Sequence, residues 1–313
     1  MALTDFLDLT LAVPDPAELE AFWNRRGLAT TAPGQLGTAE RPAQLLLREG
    51  SYRHVNSFTI ACETEADLVA IKARLHRLGL EADLGEGELR VVDPIFGHTV
   101  VVTVGAAAPL LPQAPRELNA PGILGRPNRR SEAGIRSFEP RPRRVGHVVL
   151  GSTDPKASVN FYVNGLGFRI SDTLPEAGAT FMRCSTDHHN LLVLPAPVPC
   201  MNHYALEMDD IDGIGLRGFD VVHERPDASV YGVGRHIVGS NVFWYLLDPA
   251  GGMFELFTDM DQITNDDLWD NELRRDDWDP FAIATYESGN SKMDFFLPSD
   301  IEAIAAGREA AGL

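Results

Sequence analysis

The sequence predicts an α+β protein of two similar halves, each built from strand–helix–strands units whose mixed sheets curl into barrel-like pairs. Three observations predict it. The segment Asp8-Leu9-Thr10-Leu11-Ala12-Val13-Pro14-Asp15-Pro16 returns in shape as His147-Val148-Val149-Leu150-Gly151-Ser152-Thr153-Asp154-Pro155. Asp93-Pro94-Ile95-Phe96-Gly97-His98-Thr99-Val100 is matched by Asp248-Pro249-Ala250-Gly251-Gly252-Met253-Phe254-Glu255. Between these paired landmarks, short β-type runs alternate with one further helical segment in each half.

Each opening segment reads as a strand entering a helix. Asp15 and Asp154 suit the N-cap, and Pro16 and Pro155 suit the first helical position, where no amide donor is needed. Both helices carry a phenylalanine seven residues after the aspartate, Phe22 and Phe161, and finish near Gly27-Leu28 and Gly165-Leu166. Glu65–Leu80 is the clearest helix, with Leu68, Ile71, Leu75 and Leu78 on one face. Asp209-Asp210-Ile211-Asp212 resembles a metal-binding run but is better read as the cap of a helix after the His203 strand. The Asp-Pro segments are turns feeding a terminal strand.

From Ala106 to Arg144, eight arginines stand against three glutamates among many prolines and glycines. This is expected to be a surface linker whose arginines pair with acidic side chains elsewhere. From Asp259 to Leu313 the balance is reversed, with 14 acidic and 4 basic residues. Trp269, Trp278, Phe281, Phe295 and Phe296 are interspersed there, as in a wrap that docks its aromatics and leaves its acids in water. The expected division is therefore 1–105, a linker at 106–143, 144–260, and an acidic extension at 261–313.

The length of 313 residues accommodates roughly two domains. With 44% hydrophobic and 23% charged residues, the chain has the balance of a globular protein rather than a disordered one. No apolar run approaches the ~18 residues of a spanning helix, and Met1–Leu11 lacks a basic segment followed by an apolar core. A cytoplasmic enzyme is the expectation. A net charge of −18 repels phosphate backbones and anionic lipid, which disfavours nucleic-acid and membrane roles. Cys62, Cys184 and Cys200 are few and scattered, and are read as packed small hydrophobes rather than a disulfide framework or a zinc site.

The informative positions are those where the repeat breaks. Asp8 becomes His147, Val100 becomes Glu255, and a looser alignment sets His203 against Asn56. A glutamate on an apolar strand is costly without compensation, and two imidazoles and a carboxylate compensate one another through a metal. With open positions left on the ion, that ligand set is the facial triad of non-haem Fe(II) oxygen chemistry. Each residue alone reads more simply as structural; three coincident substitutions in a duplicated unit do not. His54, His76, His98 and His223 have no partner pattern and are assigned to surfaces or turns.

The stretch Gly234-Arg235-His236 through Tyr245 to Asp248-Pro249 and Glu255 resembles the signature of the type I extradiol ring-cleaving dioxygenases, of the vicinal oxygen chelate superfamily of paired βαβββ modules. The likeness covers roughly Leu3–Thr103 and Arg144–Thr258. It implies that His147, His203 and Glu255 hold Fe(II), with Mn(II) accepted by the same donors, and that the first half is a scaffold without metal. It further implies an acid/base histidine within Asp187-His188-His189, with His189 the better match and His188 the alternative. Tyr245 would hydrogen-bond a substrate oxygen, and His236 would donate to the other side of the diol. The implied activity is extradiol cleavage of a catecholic diol by O2, in a homo-oligomer.

Two other functions compete. A metal-dependent isomerase or lyase of the same superfamily would have no use for His189, His236 and Tyr245. A protein that sequesters an aromatic ligand would bind a diol without consuming oxygen.

Overall fold

The computed structural model describes residues 2–108, 111–275, 277, 284–287 and 296–313. The first half contains β1 (Leu3–Val13), α1 (Pro16–Asn24), β2 (Ala29–Ala32), β3 (Gln35–Gly37), β4 (Leu45–Glu49), β5 (His54–Cys62), α2 (Glu65–Arg77), β6 (Ala82–Leu84), β7 (Glu88–Val92) and β8 (Thr99–Val104). After a small hairpin of β9 (Asn119–Ala120) and β10 (Ile123–Leu124), the pattern recurs. The second half contains β11 (Arg144–Ser152), α3 (Pro155–Asn160), β12 (Arg169–Leu174), β13 (Ala179–Arg183), β14 (Leu191–Pro195), β15 (Cys200–Glu207), α4 (Ile211–Glu224), β16 (Ser229–His236), β17 (Val242–Leu247) and β18 (Met253–Thr258). The acidic extension adds the short α5 (Asp266–Leu268), β19 (Ala284–Glu287) and α6 (Pro298–Ala310).

The expected caps are in place. Asp15 accepts the Glu18 amide at 2.8 Å, Asp154 that of Ala157 at 3.0 Å, and Asp210 that of Gly213 at 2.8 Å. Each such cap contributes about 1 kcal/mol to its helix. Thr64 and Asp67 close a reciprocal capping box on α2, whose Leu68, Ile71 and Leu75 are buried.

The strand orders are β2-β3-β4-β1-β5-β8-β7-β6 and β12-β13-β14-β11-β15-β18-β17-β16-β19. Both sheets end on edge strands, so neither closes into a barrel. Each half is two βαβββ modules whose first strands, β1 with β5 and β11 with β15, pair antiparallel at the centre, while each first strand runs parallel to the last strand of its module.

One hydrophobic core joins the halves. Phe22 and Trp23 of α1 meet Phe254 of the second sheet at 5.7 and 4.9 Å between rings, and the Trp23 indole donates to the Tyr204 hydroxyl. In return Tyr162, just beyond α3, donates to Asp93 at 2.6 Å and stacks on Phe58 of the first sheet. His98 belongs to this seam as well. It sits in the turn before β8 as expected, but is buried and 3.1 Å from the Tyr162 hydroxyl rather than at the surface.

The linker arginines pair with acids as expected: Arg136 with Asp220 at 2.7 Å, Arg143 with Glu40 at 2.7 Å, and Arg116 with Asp210. Cys62, Cys184 and Cys200 are free and buried. Of the tail aromatics, Trp269 and Phe296 dock against the second half, while Trp278, Phe281 and Phe295 lie outside the described residues. Among the described residues no helix is long and apolar enough to cross a membrane.

Candidate metal centre

Strand alternation places the site. In β11, Val148 and Leu150 join the core shared by the two halves; in β15 Tyr204 and Leu206 do so, and in β18 Phe254 and Leu256. Side chains of period two therefore send His147, His203 and Glu255 to the opposite face of three adjacent strands. Register finishes the convergence: His147 lies opposite Ala205, and Ala205 lies opposite Glu255. Gly146 leaves the space that the Phe257 ring occupies, and that ring packs on His147 at 5.0 Å.

The three nominated ligands come together. Glu255 Oε2 is 2.9 Å from His147 Nε2 and 3.3 Å from His203 Nε2, and each residue is only 1% exposed. Among the described residues they form a group whose ligand atoms all lie within 4.8 Å of one another.

The donor chemistry fits a divalent cation. His203 Nδ1 is 2.6 Å from Asn202 Oδ1, so the hydrogen-bond network assigns the ring proton to Nδ1 and the lone pair to Nε2. That lone pair faces a carboxylate oxygen at 3.3 Å, an arrangement that repels unless positive charge lies between them. The other carboxylate oxygen, Oε1, accepts from Asn241 Nδ2 at 2.9 Å, which leaves Oε2 for an ion.

Burial acts to raise the Glu255 carboxyl, but the neighbouring His147 and the hydrogen bond from it outweigh burial and hold the group well below the usual carboxylate range. Burial pushes the His203 imidazole down to about 4, against the pull of Glu255, so it is neutral at pH 7. A buried carboxylate with a neutral imidazole beside it is the protonation state metal binding requires.

Both shifts have the same consequence for stability. The folded His203 value lies below the ordinary 6.5, so the unfolded chain takes up that proton first as pH falls. The depressed Glu255 value makes a contribution that is lost only at still lower pH. The metal-free protein is therefore expected to lose thermal stability between about pH 6.5 and pH 4, with a shallower fall in His203→Gln. Melting curves at stepped pH check this; identical slopes in the two proteins would contradict it.

The remaining nominated residues surround the three. His236 Nε2 is 3.0 Å from the Tyr245 hydroxyl and 3.9 Å from Glu255 Oε1, and its ring stacks on Phe243 at 3.9 Å. The Tyr245 ring lies 4.9 Å from that of His203, and burial and the Glu255 charge push its phenol well above 10. His189 packs against His147 with ring centroids 4.4 Å apart. His188 turns elsewhere: its Nε2 is 2.9 Å from Asp172 Oδ2, Trp269 covers its ring, and its Nδ1 is 3.1 Å from His189 Nδ1.

The pairing register corrects the comparison of the halves by one residue. Ser57 faces Thr10 as His203 faces Val149, and Val101 faces Thr59 as Glu255 faces Ala205. The counterparts of His203 and Glu255 are thus Ser57 and Val101, not Asn56 and Val100. For Val101 the reason is a turn: the Asp93 amide bonds the carbonyl of His98, whereas that of Asp248 bonds Gly252, one residue closer.

Sequence reasoning missed Asn202, Asn241 and Asp172, whose side chains hold His203, Glu255 and His188. For Asn241 the only signal is a polar residue heading the apolar run Val242–Leu247.

A family model described as the Glyoxalase/Bleomycin resistance protein/Dioxygenase superfamily matches residues 144–256. Metapyrocatechase 2 of Cupriavidus necator is 29% identical over 270 residues, 83% of this chain and 82% of that protein. An iron-dependent extradiol dioxygenase of Rhodococcus jostii strain RHA1 is 31% identical over 139 residues, 40% of this chain and 46% of its own length. The crystal structure of a Mn(II)-bound glyoxalase from Novosphingobium aromaticivorans superposes with a TM-score of 0.73 at 21% identity, covering 95% of this chain and 94% of that one, a likeness of fold.

Proposed function

We propose that this chain, which belongs to the type I extradiol dioxygenases of the glyoxalase superfamily, opens the ring of a catecholic diol with O2 by the concerted use of the residues gathered around His147, His203 and Glu255. The observation that carries the reading is the three-strand convergence of two imidazoles and one carboxylate on a buried point, a donor set suited to iron and to manganese.

A divalent iron bound there supplies Lewis acidity, a template for both diol oxygens and the redox chemistry that O2 demands. The protein's share is the handling of protons and the exclusion of water. Burial first, then the neighbouring His147 and His188, push His189 well below the usual imidazole value, which keeps it neutral and able to accept a proton from a diol hydroxyl. Tyr245 and His236, joined at 3.0 Å, would present a hydroxyl and an imidazole to the substrate oxygens. On the same face of the second sheet, Val149, Phe181 and Leu192 form an apolar wall against which an aromatic ring can lie.

Residues 144–260 form the catalytic half in this proposal, and 1–105 the scaffold. Assembly into a homo-oligomer belongs to it too, supported by the exposed Leu118, Ile123 and Leu124 around the hairpin. Three free, buried cysteines suit a reducing, cytoplasmic setting.

The test is anaerobic loading with Fe(II), followed by catechol, 3-methylcatechol and 2,3-dihydroxybiphenyl in air. Stoichiometric oxygen uptake with a yellow ring-opened product is expected for at least one diol. Absence of uptake across a broad diol panel, with metal bound, would overturn the proposal.

A further inference from the structure

Arg53 is a buried guanidinium in the turn before β5, far from the metal cluster in sequence and only 3% exposed in its side chain. Its Nη2 donates to the carbonyls of Met201 and Asn202 at 3.0 and 3.3 Å and to Asp300 Oδ2 at 2.5 Å. Met201 and Asn202 immediately precede His203 on β15. On the other side the guanidinium lies against Gly252, where an added Cβ would come within 1.8 Å of Nε. Gly252 leads directly into β18 and Glu255. A single cation from the first half thus contacts the start of both strands that carry His203 and Glu255.

Asp300 stands in the first turn of α6, and that helix spans the same seam. Ile304 is buried with Tyr52 of the first half and Cys200 of β15, and Gly307 lies so close to Tyr52 that a Cβ would fall 2.3 Å from the tyrosine Cβ. The acidic extension therefore reaches back over the junction and supplies the carboxylate in contact with Arg53, with the buried Asp248 a second negative charge nearby. A buried guanidinium without its carboxylate is costly, so the position of Arg53 depends on α6 being docked. The glycine of the Asp-Pro turn, otherwise unexplained, is the space that the guanidinium needs.

We propose that Arg53, fixed by Asp300, is a positioning residue for the metal centre: it holds the starts of β15 and β18 so that the His203 and Glu255 side chains converge at ligand distance. The inference rests on the reading that His147, His203 and Glu255 bind a divalent ion. Asn202 links the two, since its carbonyl accepts from Arg53 while its side chain accepts from His203 Nδ1. Residues that orient metal ligands in this way typically affect affinity by about 10–100-fold.

The experiment is titration of metal-free full-length protein with Co(II), read by visible absorption, alongside thermal melting of the metal-free state. Asp300→Asn and Gly252→Ala disturb Arg53 from opposite sides. Both are expected to weaken Co(II) binding at least ~10-fold, with an altered Co(II) spectrum. Arg53→Lys keeps a cation for Asp300 without the planar fork and is the milder variant should another fail to fold; it is expected to bind more weakly than wild type. Co(II) affinity within two-fold of wild type in the folded variants, whatever their melting temperatures, would make the pair merely structural and overturn the inference. Failure of the wild type itself to bind Co(II) would instead bring down the metal reading, and this inference with it.

Discussion

Glu255→Gln is expected to remove divalent-metal binding and to lower Fe(II)-dependent oxygen uptake by roughly 10³-fold or more, a barrier increase of about 4 kcal/mol. The substitution preserves shape, so the argument is one of charge. In the native site Oε2 faces two imidazole nitrogens at 2.9 and 3.3 Å, and the carboxylate supplies the only formal negative charge among the three donors. A glutamine amide can still accept from Asn241 Nδ2, so the strand and its packing persist. What is lost is the charge that offsets desolvation of a divalent ion in a site each of whose residues is 1% exposed.

The same reasoning separates folding from binding. Added Co(II) or Fe(II) should raise the melting temperature of the wild type by mass action and leave that of Glu255→Gln unmoved. At pH 7 the metal-free variant should itself melt below the metal-free wild type, because it lacks the carboxylate whose depressed value contributes stability there; the response to added metal, not the baseline, is what reports binding. One-to-one metal binding with normal turnover in Glu255→Gln would remove the basis of the site.

How far the sequence reaches is clearest at the positions where its repeat breaks. His147 and Glu255 could be found because a histidine and a glutamate interrupt runs that are otherwise apolar on both faces, and such interruptions need compensation. The exact match between halves could not be found by counting, because turn length is not visible in composition: a turn one residue longer between Asp93 and His98 moves Val101 into the place that Val100 should hold. The capping aspartates were legible because capping is a contact over three residues. Arg53 was not, since the carbonyls it holds are 148 and 149 residues away and nothing local marks it. The halves read as separate units in sequence, yet Trp23 and Tyr162 each complete the core of the other half, a cross-packing that only tertiary structure reveals.

Replacing His189 by glutamine is expected to lower kcat by roughly 10²–10⁴-fold, with Co(II) affinity unchanged and KM moved only a few-fold. His188→Gln should cost far less. The two adjacent imidazoles differ in what they face. His188 Nε2 is engaged by Asp172 at 2.9 Å, which places its proton there and leaves Nδ1 to accept from His189 Nδ1 at 3.1 Å. That hydrogen bond in turn assigns the His189 proton to Nδ1, so Nε2 is the atom able to take a proton and return it. The His189 ring lies 4.4 Å from the ring of His147, whereas His188 is covered by Trp269 of the acidic extension. Glutamine at 189 retains a hydrogen-bonding group of similar reach but cannot cycle a proton, so the loss should fall on kcat rather than on binding. If instead His188→Gln is the crippled variant and His189→Gln turns over normally, the acid/base assignment belongs to His188, and His189 is reduced to packing against the metal ligand.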